Sequence, residues 1–189
     1  MGSDPLFLVF DTSAAHCAAA VVEGDAVLAG ATERMARGQA EALVPLLQRL
    51  MAEAGHDPTE LTALGVGIGP GNFTGTRIAV ATARGLGLAL GRPAIGVSTF
   101  ELIRDSADPP DAAAELVSVP APREMAYVCP YRDGTPRAAP QLIDPADPPE
   151  HLRLPVPQRV KGYRAAEIAH ALDADHREAA LEDLPRRLG

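Results

Sequence analysis

The stretch Gly65-Val-Gly-Ile-Gly-Pro-Gly-Asn-Phe-Thr-Gly-Thr-Arg77 constrains this chain more than any other. A short strand-like run ends in a glycine-rich turn. The turn opens a segment dense in small residues: Ala79, Ala81, Ala83, Gly85, Gly87 and Ala89. Strand, tight turn and helix in that order make a βα unit, and small side chains let its helix approach a neighbour closely. The turn also offers backbone N–H groups and the positive end of a helix to whatever lies above it. Two occupants suit it, a phosphate or another protein. The spacing matches neither the Walker A loop, since no Gly-Lys-Ser/Thr follows, nor the G-x-G-x-x-G dinucleotide fingerprint. A plain strand-to-helix turn with Thr74 as N-cap is the simplest reading. Phe73, a large apolar residue in a loop of small ones, favours a contact over a solvated turn.

The flanking pattern places this unit. Leu6 to Phe10 is a continuous apolar run, as expected of a buried central strand. His16–Val22 and Ala26–Glu33 read as two further strands, with Glu23-Gly24-Asp25 as their hairpin turn. A helix over about 34–54 follows, from Ala36, Ala40, Leu43, Leu47, Leu50, Met51 and Ala54 at helical spacing. Pro45 should kink it or move its start nearer Gln39, and Gly55 is its C-terminal cap. Then come a strand over Leu64–Ile68, a helix over Thr74–Leu90, a strand over Ala94–Val97, and a short helix capped by Ser98 with Glu101. The order β-β-β-α-β-α-β is an actin-like, ribonuclease H-like half-domain: three antiparallel strands, then two crossovers.

Asp108-Pro109-Pro110-Asp111 breaks the chain. The expected division is an N-terminal lobe over 1–107 and a shortened C-terminal α/β lobe over 108–189, a truncated copy of the first. In that second part Glu115–Val119, Met125–Tyr131 and Ala138–Ile143 read as strands, and Asp133-Gly134 as a hairpin turn. The proline-dense stretch from Pro140 to Pro157 reads as irregular, Gly162–Leu172 as a short helix, and the tail as a frayed, charged end.

Charge narrows the function classes. The formal net charge is −8, and Lys161 is the only lysine. Phosphate contacts need clustered Lys and Arg, so the chain does not grip nucleic acid by itself, and any RNA role requires a more basic partner. No apolar run approaches the ~20 residues of a bilayer span, and Asp11 interrupts the first one. The expected location is the cytoplasm, with no membrane partner. Cys17 and Cys129 sit in strand-like runs and read as buried free thiols, with no Cys-x-x-Cys to hold zinc.

The candidate chemistry is sparse. Asp11-Thr12-Ser13 closes the first strand. An aspartate there either holds a hydrated metal near phosphates or bonds the backbone of its own turn. The lack of a second phosphate loop favours the latter. Thr12 and Ser13 lack a base beside them, since His16 is read as pointing along the second strand. His56, His151, His170 and His176 form no metal-binding spacing. No catalytic and no metal residues are assigned. The two long helices cover the sheet, and side by side they also suit half of a four-helix interface. Leu43, Leu47, Leu50, Ala81 and Gly85 are the candidate interface positions. Gly69, Gly71, Asn72, Phe73, Thr74, Gly75 and Arg77 form the partner-binding or phosphate-facing loop, and Asp11 and Thr12 are candidate ligand contacts.

Four segments together resemble one family: Leu8-Val-Phe-Asp11-Thr-Ser13, Leu43-Val-Pro45-Leu-Leu47, Gly69-Pro-Gly-Asn-Phe-Thr-Gly-Thr-Arg77 and Gly96-Val-Ser-Thr99. The family is TsaB, also called YeaZ, and the match covers roughly the first hundred residues. The resemblance implies a non-catalytic platform that pairs through its helices with a TsaD-like transferase. A TsaE-like ATPase joins them, and the assembly places threonylcarbamoyl on adenosine beside the tRNA anticodon. It implies no cofactor of the chain's own, with ATP and Mg only in the assembled complex. It also leaves room for a homodimer, and tRNA contact is only indirect. The transferase carries a histidine pair after the strand matching Ala94–Val97, where this chain reads Ser98-Thr99-Phe100. Older labels for the family, glycoprotease or peptidase M22-like, and the fold itself supply the rival: a stand-alone actin-fold ATPase or a glycoprotease-like hydrolase. The chain departs from the family in having Gly38-Gln39 where a histidine is frequent. Of a basic strand end it retains only Arg123, in Ser118-Val-Pro-Ala-Pro-Arg123, and its second lobe is shorter.

Overall fold

The computed structural model describes residues 4–104, 114–153 and 158–179. The chain divides into two compact units, the first ending at Thr99 and the second beginning at Phe100. The Asp108–Asp111 break and the charged tail beyond residue 179 lie outside the described residues.

In the first unit, β1 (Leu6–Asp11) is central because Leu6 to Phe10 are apolar on both faces, and all of the strand but Phe7 is buried. It pairs antiparallel with β2 (His16–Glu23) and parallel with β4 (Ala63–Gly67). β3 (Ala26–Arg34) and β5 (Ala94–Val97) form the edges, giving the order β3-β2-β1-β4-β5. α1 spans Gln39–Ala54, so the helix starts at Gln39 rather than near Arg34, after Gly38 at φ 96°. Pro45 lies within it, and Gly55 at φ 75° caps it through bonds to Ala52 and Met51 carbonyls. α2 spans Phe73–Leu90. Its cap is Asn72, not Thr74: the Asn72 side chain accepts the Gly75 N–H at 3.0 Å.

The core explains which helix faces turn inward. Leu43, Leu46, Leu47, Leu50 and Met51 of α1 pack with Leu8, Phe10 and Leu64, all at most 3% exposed. Burying each such side chain contributes about 1.5–3 kcal/mol. α2 buries Gly75, Ala79 and Ala83, one line at four-residue spacing. No helix among the described residues is long and apolar enough to cross a membrane.

The second unit repeats the sheet. It contains β6 (Ala114–Pro120), β7 (Ala126–Arg132), β8 (Thr135–Pro136), β9 (Gln141–Ile143), β10 (Gln158–Gly162) and β11 (Asp175–Glu178). β6 pairs antiparallel with β7 and parallel with β10, β10 pairs parallel with β11, and both β8 and β9 pair with β7. With β8 and β9 together standing for β3, the order is that of the first unit. α4 (Ala165–Leu172) connects β10 to β11 as α2 connects β4 to β5. Where the first unit has α1, the described residues hold only a 3-10 turn, Glu150–Leu152. α3 (Thr99–Arg104) sends Phe100 and Ile103 into a cluster with Val117, Val119 and Tyr131.

One expectation needs correction here, and one strand is unforeseen. Gly162 does not begin a helix; it ends β10 at φ 114°, where a Cβ would lie 2.0 Å from the Ser118 carbonyl oxygen. β10 itself, which opens in a segment between the proline-dense stretch and Gly162 to which the sequence pattern assigns no element, is a parallel strand, and Lys161 within it is buried with its Nζ donating to the Arg104 carbonyl.

Candidate functional site

β1 and β4 end side by side, and their following turns pack on each other. Asp11, Thr12 and Ser13 are buried at 2% exposure or less. Asp11 Oδ1 accepts three hydrogen bonds: from Ser13 N at 3.0 Å, from Ser13 Oγ at 3.0 Å and from His16 Nε2 at 2.8 Å. Asp11 Oδ2 has no hydrogen-bond partner. It lies against Gly67, where a Cβ would fall 1.8 Å from it. Asp11 thus bonds its own turn through one carboxylate oxygen. His16 does not merely follow its strand; it reaches back to the carboxylate.

The glycine turn is seated on these residues. The Asn72 N–H donates to the Ser13 carbonyl at 2.5 Å, and Thr12 Oγ1 donates to the Gly75 carbonyl at 2.7 Å. A Cβ on Gly71 would lie 2.3 Å from the Ser13 carbonyl oxygen, and one on Gly75 1.8 Å from that of Thr12. At these two glycines, then, the space opened by a missing side chain is filled by the chain's own carbonyl oxygens. Gly69, at φ 77° and followed by a cis bond to Pro70, accepts the Thr99 N–H at 2.8 Å. Thr99 Oγ1 is buried without a partner.

Outward from this seat runs the exposed face of α2. Phe73, Arg77, Ala81, Gly85 and Leu88 are all exposed and recur at three- or four-residue spacing, which stacks them on one side. Phe73 is 67% exposed and Leu88 is 88% exposed. The Arg77 guanidinium carbon lies 3.7 Å from the centroid of the Phe73 ring, a cation–π contact. Nothing lies within 4 Å of where a Gly85 Cβ would be. Thr74 is exposed in the first turn, beside Asn72.

The structure sorts the candidate positions. Ala81 and Gly85 lie on the open face. Leu43, Leu47 and Leu50 do not: they are buried in the chain's own core and unavailable to a partner. On α1 the exposed apolar residue is Val44, at 42%. Thr12, a candidate ligand contact, spends its hydroxyl on Gly75. His16 is the residue that sequence reasoning missed. Its signal is the short link from Thr12 to Ala15, which returns the start of β2 to the end of β1. Among the described residues no three His, Cys, Asp or Glu side chains converge. Burial pushes the Cys17 thiol up to about 11, with Glu33 and Asp11 adding to the effect, and burial also raises Cys129.

Two units with one sheet order, each a mixed sheet with a helical crossover, define an actin-like protein. The model of the TsaD family, tRNA N6-adenosine threonylcarbamoyltransferase, matches residues 31–179. The chain is 36% identical over 93 residues to the tRNA threonylcarbamoyladenosine biosynthesis protein TsaB of Escherichia coli, an alignment covering 49% of this chain and 40% of that protein. It is 34% identical over 162 residues to an uncharacterised protein of Mycobacterium tuberculosis, covering 78% of this chain and 74% of the other. Among solved structures, YeaZ from Pseudomonas aeruginosa superposes with a TM-score of 0.68 at 28% identity, over 84% of this chain and 76% of that one. The chain belongs to the TsaB/YeaZ family of tRNA threonylcarbamoyladenosine biosynthesis, within the wider TsaD group. Its match spans about two fifths of the length of E. coli TsaB.

Proposed function

We propose that this chain is a non-catalytic docking subunit for tRNA threonylcarbamoyladenosine formation. It pairs through the exposed faces of α2 and α1 with a TsaD-like transferase in the cytoplasm. A TsaE-like ATPase completes the assembly, bringing ATP and Mg, and tRNA is met through the partners rather than by this acidic chain. The observation that carries the reading is the α2 face. It is an open stripe of small and apolar residues, Ala81, Gly85 and Leu88, headed by a Phe73–Arg77 stack. Small residues let a second helix approach closely, and an aromatic–arginine pair is the kind of contact that anchors interfaces. The same face would serve a homodimer where the transferase is absent.

Two further observations support a docking role over a phosphate site. At Gly71 and Gly75 the glycine turn is filled by the Ser13 and Thr12 carbonyl oxygens. Where the resemblance gives the transferase a histidine pair, this chain places Thr99, whose N–H is spent on Gly69, and Phe100, which is buried. The test is an omit-one reconstitution of threonylcarbamoyl transfer to tRNA with transferase and ATPase proteins. Transfer that requires this chain, while the chain alone neither turns over ATP nor cleaves protein, is the expected result. Transfer undiminished without it, or ATP turnover by the chain alone, would contradict the docking reading and favour a stand-alone ATPase or hydrolase.

A further inference from the structure

We infer that His16 is a positioning residue: by fixing the Asp11 carboxylate it sets the seat on which the Gly69–Gly75 turn rests, and through it the presentation of Phe73 and the first turn of α2. The inference rests on the docking reading for its consequence and on geometry alone for its mechanism. All three donors to Asp11 converge on Oδ1, while Oδ2 receives none and faces the bare Cα side of Gly67. Two of those donors belong to Ser13, inside the same turn, and move with it. His16 is the donor that comes from a different element, the first residue of β2. Its Nε2–H therefore ties the Asp11 carboxylate, which holds the Ser13 N–H and hydroxyl, to β2.

The tie is transmitted by contact at each step. Asp11 holds the N–H and hydroxyl of Ser13, and the Ser13 carbonyl holds the Asn72 N–H. The Thr12 and Ser13 carbonyl oxygens occupy the space beside Gly75 and Gly71. Asn72 in turn caps α2 through the Gly75 N–H, one residue from Phe73. Close-packed contacts of this kind transmit displacement because there is no free volume to absorb it. Among the described residues, Asp11 from β1 bonds the imidazole, and Arg34 stands opposite His16 in the β2–β3 register. His16 is 8% exposed and Asp11 fully buried, so loss of the bond removes one of three hydrogen bonds from a buried carboxylate.

The test uses His16→Ala and His16→Gln in the full chain, the glutamine retaining an N–H donor at nearly the reach of Nε2. The first readout is amide hydrogen exchange, residue by residue, which needs no partner. His16→Ala is expected to speed exchange at residues 71–76 about tenfold relative to the amides of β1 and β4, with His16→Gln restoring the wild-type pattern. The second readout is affinity for the TsaD-like transferase, expected to fall several-fold for the alanine variant and to recover with glutamine. Uniform acceleration across the first sheet, unchanged exchange at 71–76, or no recovery with glutamine would each overturn the positioning role. Failure of the wild-type chain to bind the transferase would sink the docking reading while leaving the exchange result to judge His16.

Discussion

At the scale of single residues, glycine does two opposite jobs in α2. Gly75 is required, because any Cβ would strike the Thr12 carbonyl. Gly75→Ala should therefore cost about 1–3 kcal/mol or more of stability. Gly85 has open space around it on an exposed helix face. Gly85→Ala should raise stability by about 0.5–1 kcal/mol, since alanine loses less backbone entropy in a helix. Denaturant midpoints of the two variants check both signs in one experiment. The thiols behave as packing groups. With Cys17 pushed up to about 11 by burial, the thiolate fraction at pH 8 is about one in a thousand. Neither Cys17 nor Cys129 should react with a thiol reagent at pH 8 until the chain is unfolded, and counting modified thiols with and without denaturant measures this.

At the scale of elements, each helix has one face against its own sheet and one turned away from it, and the sequence says only part of which is which. The leucine stripe of α1 looks the same whether it covers a sheet or meets another helix. It covers the sheet: Leu43 is fully buried. Leu43→Ala should cost about 2–5 kcal/mol and act through folding. Leu88, 88% exposed, should behave the other way. Leu88→Arg is expected to leave stability within about 0.5 kcal/mol while weakening transferase binding at least about tenfold, or ~1.4 kcal/mol. Thermal melts and binding titrations of the two variants separate the roles. The strand-turn-helix unit itself was legible, because glycines, a cap and small residues each have a local reason. Asn72 rather than Thr74 as the cap was not, since both are good capping types and only the turn's packing on Ser13 chooses between them. His16 was hidden for a related reason: its bond to Asp11 depends on the tightness of the β1–β2 link, which periodicity does not report.

At the scale of the whole molecule, one sheet pattern occurs twice. In the first unit it was readable, because continuous apolar runs mark the buried strands. In the second, β10 carries Gln158, Arg159 and Lys161, and β11 reads Asp-His-Arg-Glu. Parallel pairing and the buried Lys161 Nζ–Arg104 carbonyl bond make β10 a strand, and neither shows in a hydrophobic pattern. The second unit thus repeats the sheet and one crossover helix, and among the described residues it has a 3-10 turn in place of the other. On the docking reading proposed above, the first unit, with both helices, is the one that meets the transferase.

That claim is tested most directly by the affinity of this chain for a TsaD-like transferase, wild type against Leu88→Arg, by titration calorimetry. The account predicts a defined one-to-one complex for the wild type and a loss of at least about tenfold for the variant at unchanged stability. No complex with the wild type, or equal affinity for both, would contradict it.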